Sequence, residues 1–401
     1  MEYDLVFEGG GAKGMVFVGA MQEFEAAGHT FKRLLGTSAG AITAATLAAG
    51  YSAAEMLDAL VEKDEGGHSV FSQFMAIPPA ISPNLIGESI TRQLLRQIDL
   101  PLVPEVVETR LDDVLARAIA TNPRLRGIFS FIEYGGWFSA DHFVEWMQKR
   151  LDTGMLRGEP RRFSGLTLDQ FYEKTQVDLS VIASDTTGER MLVLNHRTAP
   201  KVPVVWAVRM SMSIPLLWQS VTWRPEWGFY LGRDVAGHEI VDGGLLSNFP
   251  IDLFVSQDQT VKSVMGERSG SSVLGLLIDE TMPVDGVETQ ADVTASFRFT
   301  DLRTVQRLAG LMNTALTAHD KLVIDAFERF VARMPAKGYG TTEFDMNDDR
   351  RECLVEAGRA AMRAFFARSA QAGVSFDPDA NAELQRAVEK ANQRALKILT
   401  E

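Results

Sequence analysis

The sequence predicts an α/β fold: a three-layer α/β/α domain with a mostly parallel central sheet, followed by a helical C-terminal extension. Two observations predict it. Short apolar runs alternate with segments of helical periodicity in the first 50 residues, and a glycine-bearing turn follows each of three apolar runs. Strands that alternate with helices form βαβ units, and such units build a parallel sheet with helices on its faces.

The first two strand–helix units begin at the N-terminus. Residues 4–7 form an apolar run, a glycine loop follows, and apolar residues from Val16 to Phe24 recur at helical spacing. A second apolar run, Phe31 to Leu35, leads through a glycine turn into a helix of small residues that ends at Gly50. We expect this helix to pack closely on the sheet.

The remaining elements follow from the same patterns. The predicted strands are 178–188 with 191–195 around a turn, 238–244 and 271–279, and the predicted helices are 202–213 and one long amphipathic helix over 300–334. The predicted organisation is a domain over 1–334 with a helical insertion at about 53–156, a linker over 335–349 and a helical extension over 350–401.

Composition excludes several protein classes. Hydrophobic residues are 46%, and 40 Lys+Arg against 53 Asp+Glu give a net charge of −13, so a disordered chain, a collagen-like chain and a nucleic-acid polymer as partner are not expected. The single cysteine, Cys353, cannot form an internal disulfide. Glu2 and Asp4 stand where an export signal would carry basic residues, which predicts a cytoplasmic protein.

Three glycine-bearing motifs, GGGAKG, GTSAG and DGG, are the candidate chemistry of the chain. In a parallel sheet the carboxyl ends of the strands converge on one edge, so we expect these turns to meet there. In GTSAG the pattern G-x-S-x-G places Ser38 between Gly36 and Gly40, a spacing typical of a nucleophile on a strained strand-to-helix turn. Asp242, at the end of an apolar strand, is the candidate base, although an Asp-Gly pair alone is more often a plain turn.

The first motif admits a second interpretation. Gly9, Gly11 and Gly14 fit G-x-G-x-x-G, the pattern of dinucleotide-binding loops. The next strand ends in GTSAG rather than in the acidic residue that binds the ribose, and Gly14 stands where a Walker A loop has Ser or Thr. The loop then provides backbone N–H groups that can stabilise a developing negative charge. None of the six histidines has a partner at metal-ligand spacing, so no metal and no organic cofactor is expected.

The ordered set GGGAKG, GTSAG and DGG, with MSMSIPLL and SDTTGE between them, resembles the patatin-like phospholipase family over roughly residues 4–280. The resemblance implies a Ser–Asp dyad with Ser38 as nucleophile, Asp242 as base and the turn Gly243–Gly244 beside it. It assigns the oxyanion hole to the first loop, whose residues are Gly9, Gly10, Gly11, Lys13 and Gly14. Within this loop the N–H groups of Gly10 and Gly11 are the implied donors. One departure is Leu216, where relatives often have glycine.

The predicted function is hydrolysis of acyl esters of phospholipids or lysophospholipids, with transient contact at the inner membrane face. Three alternatives stay open: an acyltransferase, a nucleotide-binding module that uses the Gly9–Gly14 loop, and an α/β-hydrolase triad, which needs a late histidine such as His319. Because some bacterial relatives are switched on by cyclic nucleotides, the resemblance also admits a cyclic-nucleotide activator. The sequence does not predict the oligomeric state.

Overall fold

An eight-stranded sheet forms the centre of the fold. The computed structural model describes residues 1–79, 121–268, 271–287, 324–372 and 376–400, with short stretches between 81 and 119. Within these residues the strands are β1 (Glu2–Phe7), β2 (Thr30–Thr37), β3 (Gly136–Phe138), β4 (Met155–Leu156), β5 (Glu159–Pro160), β6 (Asp178–Asp185), β7 (Arg190–Leu194), β8 (Leu216–Trp218), β9 (Val221–Thr222), β10 (Glu239–Asp242), β11 (Ser272–Pro283) and β12 (Val331–Lys337).

The strand order of the main sheet is β12-β11-β1-β2-β6-β10-β9, with β7 also paired to β6. The pairs from β12 to β6 are parallel, and β7 and β10 are both antiparallel to β6. The parallel strands are buried along most of their length, as expected for a sheet covered on both faces.

The helices are α1 (Val16–Ala26), α2 (Ala39–Ala48), α3 (Ala53–Leu60), α4 (Pro123–Tyr134), α5 (Asp141–Asp152), α6 (Leu168–Thr175), α7 (Val204–Ser211), α8 (Asp252–Val255), α9 (Gln259–Met265), α10 (Asp348–Ala372) and α11 (Ala382–Thr400). Short 3-10 turns occupy Gly11–Met15, Val70–Met75, Pro225–Trp227, Gly243–Leu245 and Glu328–Phe330. No helix among these described segments is long and apolar enough to cross a bilayer.

Two hydrophobic cores lie on the two faces of the sheet. One contains α1, α2, α7 and α10, and the other contains α8, α9 and α11. In the first core α10 crosses α1 so closely that a Cβ at Gly19 would lie 1.7 Å from the carbonyl oxygen of Val355. The predicted three-layer fold, the mostly parallel sheet and the helical C-terminal region are therefore confirmed.

The predicted long helix over 300–334 is wrong at its end. Residues 300–323 lie outside the described residues, and Val331–Lys337 form β12, parallel to β11. The buried residues Ala332, Met334 and Ala336 alternate with more exposed ones, which is the period of a strand. Pro335 interrupts a helix but fits an edge strand, and β12 is at the sheet edge. The predicted linker over 335–349 thus starts inside a strand. How the chain divides into domains stays a prediction.

Candidate active site

Ser38 lies on the sharp turn between β2 and α2. Its backbone has φ 53° and ψ −119°, a conformation that side-chain-bearing residues rarely adopt. The neighbouring glycines allow the turn: a Cβ at Gly36 would lie 2.2 Å from the carbonyl oxygen of Gly40, and one at Gly40 would lie 2.3 Å from that of Phe7. Ser38 is 5% exposed. The geometry is that of the strained turn which the G-x-S-x-G pattern predicts.

Asp242 lies beside Ser38, as predicted, but the strand that carries it runs in a different direction from the one expected. The sequence predicted Asp242 at the carboxyl end of a parallel strand. The predicted direction of this strand is wrong, because β10 is antiparallel to β6. Strand β7 pairs with residues 181–185 of β6 and fills one edge of that strand there. Strands β2 and β10 therefore both pair with the opposite edge of β6, one after the other along it. Thr37 lies opposite Ile182 and Asp242 lies opposite Ala183, the next residue. The ends of β2 and β10 therefore meet head to head.

The Asp242 side chain is buried, with 3% exposure. Burial raises its pKa from 3.8 to about 7, and the Ser38 hydroxyl and the Gly244 N–H oppose this rise. Oδ1 accepts the Gly244 N–H at 2.7 Å, whereas Oδ2 has no hydrogen bond of ordinary geometry within the described residues. The Ser38 hydroxyl is thus near enough to affect the carboxyl but is not in a tight hydrogen bond, as is frequent in unliganded catalytic pairs.

The GGGAKG loop lies directly against the strained turn at Ser38, called the elbow below. A Cβ on Gly9 would lie 3.0 Å from the Cβ of Ser38, and a Cβ on Gly14 would lie 2.5 Å from that of Ala39. Gly11 has φ +55°, and a Cβ there would lie 2.1 Å from the carbonyl oxygen of Thr341. Glycine is needed at these positions because neighbouring atoms fill the space of a side chain.

The loop residues assigned to the oxyanion hole differ in whether their backbone N–H groups already have an acceptor. The N–H of Gly9 donates to the Asn248 carbonyl at 3.2 Å, and that of Lys13 donates to the Gly10 carbonyl at 3.2 Å. The N–H groups of Gly10 and Gly11 have no acceptor among the described residues. The Lys13 side chain is buried and forms an ion pair with Glu280. Among the described residues the N–H groups of Gly10 and Gly11 thus stay without an intramolecular acceptor, as the predicted oxyanion hole requires.

Three further residues hold the site together. The Ser211 hydroxyl accepts the Ser38 N–H at 2.9 Å, and the Ser213 carbonyl accepts the Asp242 N–H at 2.9 Å. Asn248 donates from its side chain to the Gly9 carbonyl at 2.8 Å. None of the three was predicted as a site residue from the sequence. The signals that could have found them are the MSMSIPLL stretch, which contains Ser211 and Ser213, and the DGG turn, which Asn248 follows.

No described histidine contacts the Ser38–Asp242 pair. His238 bonds the Asp185 carboxylate at 2.9 Å, His196 stacks on Tyr172, and His29 packs against Phe366. His319 lies outside the described residues. Within the part of the chain that the structure describes, no group of three or more His, Cys, Asp or Glu side chains could hold a metal ion.

Leu216, the departure from the family pattern, keeps a glycine-like backbone. Its φ is +71°, in the left-handed region that favours glycine. The N–H of Leu216 donates to the Gly135 carbonyl at 3.1 Å, and the residue begins β8. The chain thus holds a leucine in a backbone conformation that favours glycine.

Comparisons with known proteins find one family profile and two relatives that are similar in sequence. The patatin-like phospholipase profile matches residues 5–255. The uncharacterized protein YqhO of Bacillus subtilis (strain 168) is 27% identical over 372 residues, covering 91% of this chain and 98% of YqhO. The probable lipid hydrolase 463L of Invertebrate iridescent virus 6 is 27% identical over 121 residues, 30% of this chain and 36% of that protein.

Two solved structures are also similar. VipD from Legionella pneumophila has 17% identity and a TM-score of 0.43, with 99% of this chain and 74% of that chain covered. ExoU, in its complex with SpcU from Pseudomonas aeruginosa, has 18% identity and a TM-score of 0.35, with 98% and 58% covered. The profile match spans more than half of the residues and includes all three glycine motifs. The chain therefore belongs to the patatin-like phospholipase family, whose activity is lipid hydrolysis.

Proposed function

We propose that the protein hydrolyses acyl esters of phospholipids or lysophospholipids through an acyl-enzyme on Ser38. The observation that carries the proposal is the pair itself: a serine on a strained turn faces a buried carboxyl whose pKa is raised to about 7. A base with a pKa near the working pH accepts a proton readily and is still charged in a substantial fraction of the molecules.

The steps follow from this arrangement. The Asp242 carboxylate takes the hydroxyl proton as Ser38 Oγ attacks the ester carbonyl carbon. The resulting oxyanion accepts hydrogen bonds from the N–H groups of Gly10 and Gly11. When the C–O bond of the ester breaks, the leaving alcohol takes the proton from Asp242. Water then attacks the acyl-enzyme with the same base, and fatty acid leaves as Ser38 regains its proton.

An apolar crevice beside the elbow supports a lipid acyl chain as the group transferred. Its wall includes Ala39, Ile42, Phe71, Phe74 and Trp146. Ala39 directly follows Ser38, and Gly11 and Gly14 of the loop also line the crevice. An acyl chain in this crevice replaces water against apolar walls while its carbonyl lies at the serine.

Membrane contact follows from the substrate class and forms part of the proposal. Phe229 and Leu231 are exposed apolar residues on the loop after the Pro225–Trp227 turn, whereas Trp223, Trp227 and Tyr230 of the same stretch are buried. Aromatic and aliphatic side chains on an exposed loop can enter a lipid interface. The cyclic-nucleotide activator has no support among the described residues and is not part of the proposal.

The test is a lipid-release assay with purified protein and vesicles of mixed phospholipids and lysophospholipids, in water enriched in ¹⁸O. We expect free fatty acid carrying ¹⁸O from the wild type, none above background from Ser38→Ala, and wild-type release from the matched control Cys353→Ala. Transfer of the chain to an added alcohol, with no free fatty acid, would instead show an acyltransferase. Full activity in a folded Ser38→Ala variant would exclude the proposed nucleophile.

A further inference from the structure

A second cavity lies on the flank of the domain beside α7. It contains about 1160 Å³ of empty space, its open mouth included, and its wall is formed by parts of α5, α7, β9 and the loops at 223–225 and 236–237. Neither Ser38 nor Asp242 lines it. The charged residues among those that line it are Arg209, Arg224 and Asp141.

Arg209 is a buried cation without a carboxylate partner. It is 3% exposed, and its guanidinium donates to the carbonyl oxygens of Gln219 at 2.8 Å and Ser139 at 3.3 Å. Within the described residues no carboxylate lies within ion-pair distance of it, and the acid that acts on it, Asp141, does so from further away. Burial lowers the pKa of Arg209 to about 10, so it stays charged at neutral pH. A buried charge without a counter-ion is destabilising.

Arg224 supplies a second cation at the mouth of the same cavity. Its guanidinium stacks on the indole of Trp206 at 4.4 Å and on that of Trp227 at 5.1 Å. No carboxylate among the described residues pairs with it, and stacking fixes its direction. The Glu239 carboxylate accepts the hydroxyls of Ser220 and Thr222, two residues of the cavity wall.

The last turn of α7 and the residues after it connect this cavity to the candidate active site. Arg209 donates to the Ser213 hydroxyl, and the Ser213 carbonyl accepts the Asp242 N–H. Two residues earlier, the Ser211 hydroxyl accepts the Ser38 N–H. A ligand that moves Arg209 therefore acts on a segment that holds the backbone of both Ser38 and Asp242.

We propose that this cavity binds a phosphate ester, with Arg209 and Arg224 as its cationic contacts. Neither guanidinium forms an ion pair with a carboxylate of the described residues, and a planar fork is well matched to phosphate oxygens. Two sources share this chemistry: the head group of a phospholipid substrate and a separate soluble phosphate ester. The binding itself does not depend on the proposed hydrolysis, whereas any effect on turnover rests on it.

Binding is tested with sn-glycerol 3-phosphate by calorimetry on the Ser38→Ala variant, which separates the result from hydrolysis. We expect saturable binding that weakens with salt, no binding of glycerol, and roughly tenfold weaker binding after Arg224→Gln. Asp141→Asn removes the opposing charge and tightens binding severalfold. Arg233→Gln, an exposed arginine outside the cavity, is the matched control. Unchanged affinity in folded Arg224→Gln and Asp141→Asn variants, or no binding at all, overturns the proposal.

The source of the phosphate is tested with the wild type and a p-nitrophenyl ester, which carries no phosphate. Faster ester hydrolysis on addition of sn-glycerol 3-phosphate, lost in Arg224→Gln, supports a separate effector. Competition with phospholipid hydrolysis and no change with the ester supports a head-group site, and Arg224→Gln then raises KM for phospholipid only. If both substrates respond equally to Arg224→Gln and neither responds to glycerol phosphate, the cavity binds no phosphate ester.

Discussion

The two halves of the candidate site, Ser38 and Asp242, lie next to each other but are built in different ways. Ser38 depends on a local turn: Gly36 and Gly40 leave the space that its strained backbone needs. Asp242 depends on distant pairing, because an antiparallel strand brings it against the end of β2. The candidate nucleophile is therefore positioned by a few consecutive residues, whereas the candidate base is positioned by the register of the sheet.

The largest effect is expected from changing the base while its shape is kept. Asp242→Asn removes the proton acceptor, and a positioned base contributes about 10²–10⁴ in rate. We therefore expect kcat for lipid or ester hydrolysis to fall by about 10²–10⁴ without loss of the fold, measured by steady-state kinetics and circular dichroism. Retention of most activity in folded Asp242→Asn would show that pairing of β10 with β6 does not deliver the base.

The same substitution gives a second readout, in stability. The folded pKa of Asp242 is raised from 3.8 to about 7, so its contribution to stability is fully present below the unfolded pKa and is lost as pH rises through about 7. Asparagine carries no such penalty. We expect the Tm of Asp242→Asn to exceed that of the wild type by more at pH 8 than at pH 5, in thermal melts at both pH values. An equal difference at both would mean that the carboxyl is not desolvated.

The glycine loop is expected to give a smaller and graded effect. Loss of one oxyanion donor costs about 10²–10³ in turnover. Gly10→Ala meets only the flexible end of Ile278, whereas Gly11→Ala strains a positive φ and meets the backbone of Thr341. We expect both variants to lose turnover and Gly11→Ala also to lose thermal stability, measured by kinetics and melts side by side. Alanine keeps the N–H, so a loss of turnover comes from its displacement. Wild-type turnover in folded Gly11→Ala, where the side chain meets backbone and strains φ, would therefore remove this loop from the mechanism.

The smallest effect concerns Leu216, which starts a strand with φ +71°. Leu216→Gly relieves about 1–2 kcal/mol of left-handed strain and adds about 0.5–1 kcal/mol of unfolded-state entropy. Because these terms oppose each other, we expect a change in unfolding free energy within about 1 kcal/mol and unchanged kcat, measured by denaturant titration and kinetics. A large loss of activity would place Leu216 in the site rather than beside it.

Much of this could be predicted from the sequence, and the remainder has physical reasons. The strand–helix alternation predicted the parallel sheet, and G-x-S-x-G predicted the turn at Ser38, since both patterns are local. The sequence predicted that the turns at Ser38 and Asp242 meet, but not that β10 is antiparallel, because strand direction is set by pairing partners far apart in sequence. The strand at Val331–Lys337 was missed because its apolar residues also fit a helical period. The supports Ser211 and Asn248 act through hydrogen bonds that no spacing rule encodes.

The proposed mechanism requires that Asp242, and no histidine, activates Ser38. The most direct measurement is the rate at which a fluorophosphonate labels the protein, followed by intact-protein and peptide mass spectrometry from pH 4 to pH 9. We expect one adduct, on Ser38, and a labelling rate that rises as the Asp242 carboxyl loses its proton near pH 7. Labelling slows by about 10²–10⁴ in Asp242→Asn and continues in each of the six single His→Ala variants. Rapid labelling in Asp242→Asn together with loss of labelling in one folded histidine variant would contradict the claim and replace the dyad by a triad.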